Sequence, residues 1–552
     1  MLKRRRTEQD ELLVRPNTPP VAARPARPLV ARPTDPVPPP EPGEEEASLP
    51  LLPNRPDRPR KRRRPRSVLL LVRPIAVLVG LLVVAYLCLP LVFRVERVRP
   101  ILEDELGRAM GRKVKIGSLK FTATLGLIAS DVSVAEDPGF GAQRFVHAQR
   151  VAFVVHRSPL LFGRRVEMEA IEVTDASITL SRNARGRWNF ASALSDGVPA
   201  SNAGPQVRLR NTIVTIRRDE SSEPVTLRKL SADFPHFAAA TEMTFGISSA
   251  VDGGGTIKLN GKAGPVVWAG GSPRLPMSVL VNAKQVALSA SNLTETLAQA
   301  LDGALSFDGT VESDGNVLTA AGNARLVDLK LARLGTAATE PMLLVIALRH
   351  DLSNNSGEFS RCEIHLGKGS AEMKGRYDEA GGRPALHFTI EARGIPIAPL
   401  AALAKAAAIP LPSGTSLQGG VAFLTLGIDG PIDGPTTSGV FTVDNATLVG
   451  FDPAERFSPV GGLDSLRTGR DLGIDRLTAN LNAGPERVSM EGIEADLADI
   501  GKISGAGAIL GDGTLDFRLQ AVRAGTNDRR PIPFVVRGAC SAPLFRQPGK
   551  AN

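Results

Sequence analysis

The sequence predicts a mainly β protein of antiparallel strands with a few short helices. The apolar strand faces are covered by pairing two sheets, which is the ordinary expectation, by closing a barrel, or by curling one long sheet into a trough. One transmembrane helix and a disordered tail are expected to precede the sheet. Three observations predict this arrangement: apolar residues that alternate with polar ones after Lys113, frequent Asp-Gly pairs, and a long uncharged stretch near the N-terminus. Alternation with period two is expected where one face of a strand is buried and the other is wet.

The uncharged stretch runs from Pro74 to Val92, inside the apolar segment 67–93. A helix of that length is about 28 Å long, close to the thickness of the hydrocarbon core of a bilayer. A signal peptide would be shorter and nearer the N-terminus, and a core helix would have one polar side. We therefore expect residues 67–93 to form a transmembrane helix.

The charge before this segment predicts its orientation. Residues 1–66 contain sixteen Lys or Arg against nine Asp or Glu, and seven of the nine residues 58–66 are basic. The positive-inside rule then places the N-terminus in the cytoplasm and the C-terminal bulk in the periplasm. The tail supplies +7 of the net charge of +10, so the folded part is nearly neutral. No nucleic-acid partner is expected for it.

Residues 1–66 also contain sixteen prolines and few large apolar side chains. Such a segment cannot bury enough surface to offset its ordering entropy, so we expect a disordered cytoplasmic tail. A solvated tail with a basic end is the simpler interpretation. The alternative is a tail that binds a proline-recognising module or an anionic lipid surface.

Local patterns after the anchor predict the elements. Residues 94–111 have the spacing of a short juxtamembrane helix that stops at Gly111, and residues 292–301 and 396–408 suit two further short helices. Turn signals separate the strands, and the signal at Asp252–Gly255 predicts a hairpin. The other expected turns begin at Asp196, Asn260, Asp302, Asp308, Asp314, Asp429, Asp433 and Asp512.

A curled sheet with an aliphatic face would form a groove suited to a chain-shaped ligand. The candidate lining residues alternate with acidic or polar neighbours, and they are Val166, Met168, Val173, Ile178 and Leu180. The face that they occupy is uncertain, because a register error of one residue exchanges the two faces of a strand.

The sequence contains no recognisable catalytic constellation. Its six histidines are scattered, and no metal-ligand pair or phosphate-binding loop occurs in a suitable context. We expect no catalytic residue, no metal and no cofactor, and hence no enzyme. Cys362 and Cys540 could form a disulfide in an oxidising compartment, but the sequence does not show that they meet.

Several short pieces occur in a specific order after the anchor. They are Leu106–Arg112, Val114 with Ile116–Gly117, Asp131–Val132 with Glu136–Phe140, Ser158–Gly163, and Ser181–Asn189. Asn445–Phe451, Gly513–Phe517 and Pro531–Phe534 form a second set near the C-terminus. In these pieces the chain resembles the AsmA-like proteins of Gram-negative bacteria. Residues 200–400 match that family only in character.

The resemblance implies an inner-membrane helix followed by a periplasmic repeating β-groove, related to the bridge-like lipid-transfer proteins. Among the possible arrangements of the strands it therefore selects an elongated, curled antiparallel sheet. It also implies an association with phospholipid transport to, and assembly of, the outer membrane. No catalytic motif comes with it. The motif residues that it implies as structural are Gly111, Arg112, Asp137, Pro138, Gly139, Phe140, Pro159, Leu160, Gly163, Asn183, Gly186 and Asn189. The long tail departs from typical members, which begin close to their anchor.

Six regions follow from these interpretations. They are a tail (1–66), a transmembrane helix (67–93), an AsmA-like N-terminal region (94–200), a middle groove (201–395), a C-terminal AsmA-like region (396–545) and a flexible end (546–552). The expected function is to carry phospholipid acyl chains along the groove between the inner membrane and a periplasmic or outer-membrane partner protein. The alternative is an anchored, non-enzymatic scaffold that assists outer-membrane protein assembly.

Overall fold

The computed structural model describes residues 80, 95–122, 126–141, 144–155, 168–183, 187–190, 204–217, 223–237, 241–269, 272–291, 301–378, 384–464, 466, 469, 471–525 and 530–549. All the described residues belong to one unit of the chain, Val77–Asn552. The predicted tail and, except for Gly80, the predicted transmembrane segment lie outside the described residues. Within those ranges no helix has both the length and the apolar character needed to span a membrane.

The described part contains three α-helices and twenty-five strands. The helices are α1 (Val95–Met110), α2 (Ile397–Ala406) and α3 (Pro453–Phe457). The first strands are β1 (Val114–Phe121), β2 (Leu127–Ala135), β3 (Arg144–Val155), β4 (Met168–Ser181), β5 (Gln206–Arg217), β6 (Val225–Phe234), β7 (Met243–Val251), β8 (Thr256–Ala263), β9 (Val267–Ala269), β10 (Ser272–Arg274), β11 (Met277–Ala287) and β12 (Asp302–Ser313). The others are β13 (Val317–Lys330), β14 (Met342–Asp351), β15 (Ser356–Leu366), β16 (Gly369–Asp378), β17 (Ala385–Pro396), β18 (Ser416–Pro431), β19 (Thr436–Val449), β20 (Asp471–Ala483), β21 (Arg487–Leu497), β22 (Gly501–Leu510), β23 (Thr514–Arg523), β24 (Ile532–Ala539) and β25 (Leu544–Arg546).

Twenty-three of these strands form one continuous sheet, and β9 and β10 form a separate two-stranded ribbon. Apart from β4 and β5, each strand of the long sheet pairs antiparallel with the next one along the chain, and β8 pairs antiparallel with β11 because the ribbon lies between them in the sequence. The single parallel pair is β4 with β5. Within the described ranges β1 pairs only with β2, and β25 only with β24, so the sheet is open. The predicted mainly β fold with an open, mostly antiparallel sheet is confirmed.

A contact between distant strands shows that the sheet curls. Ser413, just before β18, donates its backbone N–H to the carbonyl oxygen of Ser541, just after β24, at 2.8 Å. Six strand pairings separate β18 from β24. In a flat sheet these strands would be about 29 Å apart at about 4.8 Å per strand. The C-terminal third of the sheet therefore rolls back on itself.

Left-handed residues inside the strands promote this curvature. Seven strand-interior residues other than glycine have φ between 49° and 56°, and they are Asp131, Asp175, Asn211, Lys229, Gln285, Asp328 and Asn445. At each of them the pairing register skips or shifts. Such bulges bend a strand and increase its local twist. They also change which sequence positions face a given side of the sheet.

The local predictions are mostly confirmed. The helix expected over 94–111 is α1, the helix over 396–408 is α2, and the hairpin at Asp252–Gly255 joins β7 to β8. The helix expected over 292–301 falls almost wholly outside the described residues. The turns predicted at Asp314, Asp433 and Asp512 lie between strands, as expected. Four predicted turns are wrong because the residues pair within strands, and these are Asn260, Asp302, Asp308 and Asp429. Asp196 lies outside the described residues.

The glycines after Asn260 and Asp308 serve close packing instead of a turn. A Cβ built at Gly261 would lie 2.3 Å from the carbonyl oxygen of Ser278 in the adjacent strand. Gly309 directly opposes Gly322, and a Cβ at either one would lie within 3 Å of the ring of Phe307. These glycines therefore allow a close approach between neighbouring strands and an aromatic ring.

Candidate functional site

One face of the sheet is apolar along its whole length. Residues that pair directly across strands lie on the same face, so the pairing register traces that face from strand to strand. One row crosses β1 to β15 through Leu119, Ala129, Val151, Val173, Leu209, Ala232, Ile247, Leu259, Val281, Gly309, Gly322, Ile346 and Cys362. Cys362 has no direct partner in β16, but the pair Ile364–Ala371 keeps this face continuous from β15 to β16. The row continues over β16 to β25 through Met373, Ile390, Leu426, Gly439, Leu481, Met490, Gly507, Phe517, Val536 and Phe545. It contains no charged residue.

The opposite face is polar. A parallel row, displaced by one residue, crosses the middle of the sheet through Lys258, Asn282, Asp308, Asn323, Val345, Glu363, Glu372, Glu391 and Thr425. Carboxylates of this row form salt bridges with basic side chains on the same face, as in Arg361 with Glu363 at 2.9 Å and Lys374 with Glu372 at 2.7 Å. These side chains are exposed, so the pairs contribute little stability. The sheet thus separates an apolar surface from a solvated one.

The apolar face is covered at both ends of the sheet. At the N-terminal end α1 packs on β1, and its Leu102 joins Ile116 and Phe153 in a buried cluster that extends over β1–β4. At the C-terminal end the segment 451–463 packs on β20–β24, with Phe457 and Leu463 fully enclosed beside Phe534. Between these clusters many lining side chains are only half-buried, among them Ile247, Leu259, Val281 and Ile346.

Helix α2 closes one of the two long edges of this middle section. It packs where β13, β15 and β17 end, and Leu329, Leu366 and Ile395 are buried there at 3–6% exposure. Residues on the same face at the opposite edge, such as Leu318 and Leu386, are half-buried. We call the first side the closed edge and the other the open edge. The apolar face is accordingly a groove with one filled side.

The predicted lining residues of β4 lie on this apolar face. Val173 belongs to the long row, and Ile178 pairs with Val146 and Val214. Met168 and Leu180 pack against the N-terminal cluster. Their side chains are half-buried. Val166 lies outside the described residues.

The N-terminal motif residues converge on a buried polar network. Gly111, with φ at 60°, ends α1, and the chain then directs Arg112 into the N-terminal cluster. Arg112 Nη1 donates to Glu136 Oε1 at 3.1 Å, with both side chains no more than 3% exposed. Its Nη2 donates to the carbonyl oxygen of Asn189, and its guanidinium carbon lies 4.2 Å from the ring centroid of Phe145. A charge pair thus sits in an apolar core with its hydrogen bonds made inside the protein.

Asn189 completes this network. Its Nδ2 donates to Glu136 Oε2 and to the carbonyl oxygen of Thr179, both at 2.8 Å, and its Oδ1 accepts from the Ser181 N–H at 3.1 Å. Asn189 is completely buried. Arg112 and Asn189 were predicted from the motif, whereas the contact roles of Glu136, Phe145 and Thr179 were not. The network ties the end of α1 to β2, β3 and β4.

The remaining motif residues have local roles or are not described. Asp137 caps the 3-10 turn Pro138–Phe140 by accepting from Gly139 N at 2.9 Å. Asn183 exchanges backbone and side-chain hydrogen bonds with Arg187. Pro159, Leu160, Gly163 and Gly186 lie outside the described residues.

Cys362 and Cys540 are both free thiols, so the disulfide considered from the sequence does not form. Cys362 is buried on the apolar face of β15, and Cys540 lies after β24. Burial raises the pKa of both thiols. Cys362 therefore acts as a small apolar side chain in the groove.

An open, curled sheet with one apolar face along its whole length defines a β-groove protein. A model of the AsmA family matches residues 67–232, which extend from the predicted transmembrane segment into β6. Over that part the chain is similar to the AsmA family, which confirms the resemblance seen in the sequence. No curated protein and no solved structure matches the chain.

Proposed function

We propose that this protein carries phospholipid along its apolar groove, in support of outer-membrane assembly or homeostasis. The observation that carries the proposal is the apolar row, which crosses all 23 strands of the long sheet without a charged residue. The AsmA match over residues 67–232 agrees with it. We further propose that residues 67–93 anchor the chain in the inner membrane, with its N-terminus in the cytoplasm and its bulk in the periplasm.

The half-buried aliphatic face could bind acyl chains through the hydrophobic effect. Each CH₂ group removed from water gains about 0.8 kcal/mol, and a surface without directional polar groups lets a chain slide without losing specific bonds. The polar headgroup would stay in water. In this proposal the protein acts without catalysis, and no cofactor takes part.

The length of the sheet limits what one molecule can span. Twenty-three strands at about 4.8 Å extend about 105 Å at most, and the curl shortens this distance. We therefore propose a periplasmic or outer-membrane partner protein that receives the lipid.

The alternative is a scaffold for outer-membrane protein assembly whose sheet only forms a core. The packed clusters at the two ends of the sheet would serve either function. The half-buried middle section favours the carrier, because a sheet that served only as a core would bury Ile247, Leu259 and Ile346 fully.

Two adjacent residues of β14 provide a matched test. Ile346 lies on the apolar row, and Val345 lies on the polar face opposite Glu363. The full chain, reconstituted in vesicles, should move fluorescent phosphatidylglycerol between vesicle populations. Ile346→Lys should reduce the transfer rate about 10-fold or more, because a charge in an apolar path is costly, and Val345→Lys should leave it unchanged. Equal rates for both variants, or no transfer by the native chain, would contradict the proposal.

A further inference from the structure

Among the described residues, the apolar face carries a hydrogen-bonded polar pair at its open edge. The row of paired residues nearest this edge runs through Met277, Ser313, Leu318, His350, Gly357, Tyr377, Leu386 and Gly430. His350 is the penultimate residue of β14, and Tyr377 is the penultimate residue of β16. Both side chains are half-buried. They therefore mark the boundary between the groove and the solvent.

The pair depends on a glycine that lies between the two strands. Tyr377 Oη and His350 Nδ1 are 2.9 Å apart, and their rings are stacked with centroids 5.8 Å apart. To reach His350, the tyrosine lies over Gly357 of β15, where a Cβ would be 2.5 Å from the hydroxyl oxygen. Phe359 packs beside Tyr377, and Phe388 packs beside Phe359. The polar pair thus lies at one end of a row of aromatic rings, and its own contact is the hydrogen bond between Tyr377 and His350.

The hydrogen bonding of the pair leaves one donor and one acceptor for a third group. If Tyr377 donates to Nδ1, the Nε2–H of His350 and a lone pair on the hydroxyl oxygen remain. If Nδ1–H donates instead, the hydroxyl hydrogen and Nε2 remain. Neither side chain makes another hydrogen bond within the described part of the chain. Burial raises the pKa of Tyr377, which keeps its hydroxyl protonated.

We propose that His350 and Tyr377 bind an acceptor oxygen at the polar end of a lipid whose acyl chains lie in the groove. This inference rests on the proposed function, and it sets the orientation of the lipid. The closed edge is filled by α2 and its apolar cluster, so the chains point towards that side. The phosphate or ester oxygens then emerge at the open edge, next to the available N–H or O–H. Acyl chains alone would gain nothing from this pair.

Probes with and without a polar end separate the inference from the proposed function. The full chain is reconstituted in phosphatidylcholine nanodiscs and titrated with pyrene-labelled phosphatidylglycerol, pyrene-labelled diacylglycerol and a pyrene-labelled alkane. The test variant combines Tyr377→Phe with His350→Leu, which removes the polar atoms and keeps apolar bulk. Phe359→Leu is the control, because it removes a ring from the aromatic row and leaves the pair in place.

The double variant should bind phosphatidylglycerol about 5-fold more weakly, as expected for the loss of about one hydrogen bond, and should bind the alkane as the native chain does. An equal loss for diacylglycerol assigns the contact to ester oxygens, and an unchanged diacylglycerol affinity assigns it to the phosphate. Unchanged phosphatidylglycerol binding, or an equal loss for the alkane, would overturn the inference but not the groove. If the native chain binds none of the three probes, the proposed function itself fails.

Discussion

Removal of the Glu136 carboxylate should strongly destabilise the N-terminal end of the sheet. In Glu136→Ala the Arg112 guanidinium stays in a site where it is 3% exposed, and it loses its counter-charge. Asn189 Nδ2 and the Asp137 N–H also lose an acceptor. Breaking a buried ion pair from one side typically costs about 3–5 kcal/mol, since the remaining charge is both desolvated and unpaired.

An exposed ion pair provides the comparison. Asp233 accepts from Arg208 and Arg210 at 3.2 and 2.9 Å, but all three side chains are about 40% exposed. Asp233→Ala should therefore cost no more than about 1 kcal/mol. Hydrogen exchange in the full chain measures both variants, through the amides of β1–β4 for Glu136→Ala and through the amides of β5–β7 for Asp233→Ala. A loss of 3–5 kcal/mol corresponds to exchange that is about 10²–10⁴-fold faster.

A double variant tests the physical cause. Arg112→Met with Glu136→Leu removes both charges and fills the space with apolar atoms, so it should recover much of the lost protection. If Glu136→Ala changed exchange no more than Asp233→Ala does, the network would not stabilise this end of the sheet.

Two further results are expected. Asp314 and Asp351 have lowered pKa values. The chief cause is a hydrogen bond that the carboxylate accepts, from the Val317 N–H for Asp314 and from the Ser353 hydroxyl for Asp351. The stabilisation by these carboxylates is present above the ordinary pKa of 3.8 and is lost as pH falls through the lowered values. Replacing both by Asn should make the free energy of unfolding, measured by denaturant titration, decrease less steeply as the pH is lowered. An unchanged pH dependence would contradict this. Gly309→Val should cost about 1–3 kcal/mol or more, because its Cβ would lie 2.3 Å from a carbonyl oxygen in β13, and an unchanged melting temperature would refute the close approach.

Much of the fold could be predicted because its signals are local. The helix ending at Gly111, the helix starting near Ile397 and the hairpin at Asp252–Gly255 each depend on residues a few positions apart. The same local rule failed at Asn260 and Asp308. A glycine after Asn or Asp favours a tight turn, but the same glycine is also required where strands or rings approach closely.

The face of each strand could not be predicted by counting alternate residues. In β2 both Ala129 and Val132 lie on the apolar face although they are three positions apart, because the left-handed residue Asp131 shifts the alternation. The same happens at Asn211 in β5. Each bulge reverses the parity of the pattern, so only the pairing register links the strands into one continuous face.

The buried network of Arg112, Glu136 and Asn189 could not be predicted from the sequence either. Arg112 and Asn189 are 77 positions apart, and Glu136 lies between them in the sequence. A family motif marked the first and the last, but no local pattern predicts that their side chains meet. The sequence does not predict the His350–Tyr377 pair for the same reason. The contact requires β14, β15 and β16 to pair in register, with Gly357 between the two side chains.

Photo-crosslinking along β14 tests the central claim most directly. A photoreactive residue placed singly at positions 344 to 348 of the full chain, in cells, samples both faces of one strand. Leu344, Ile346 and Leu348 lie on the apolar face, and Val345 and Ala347 lie on the polar one. The groove predicts phospholipid adducts at 344, 346 and 348 and none at 345 and 347. Adducts at all five positions, or at none of them, would contradict a lipid path along this face.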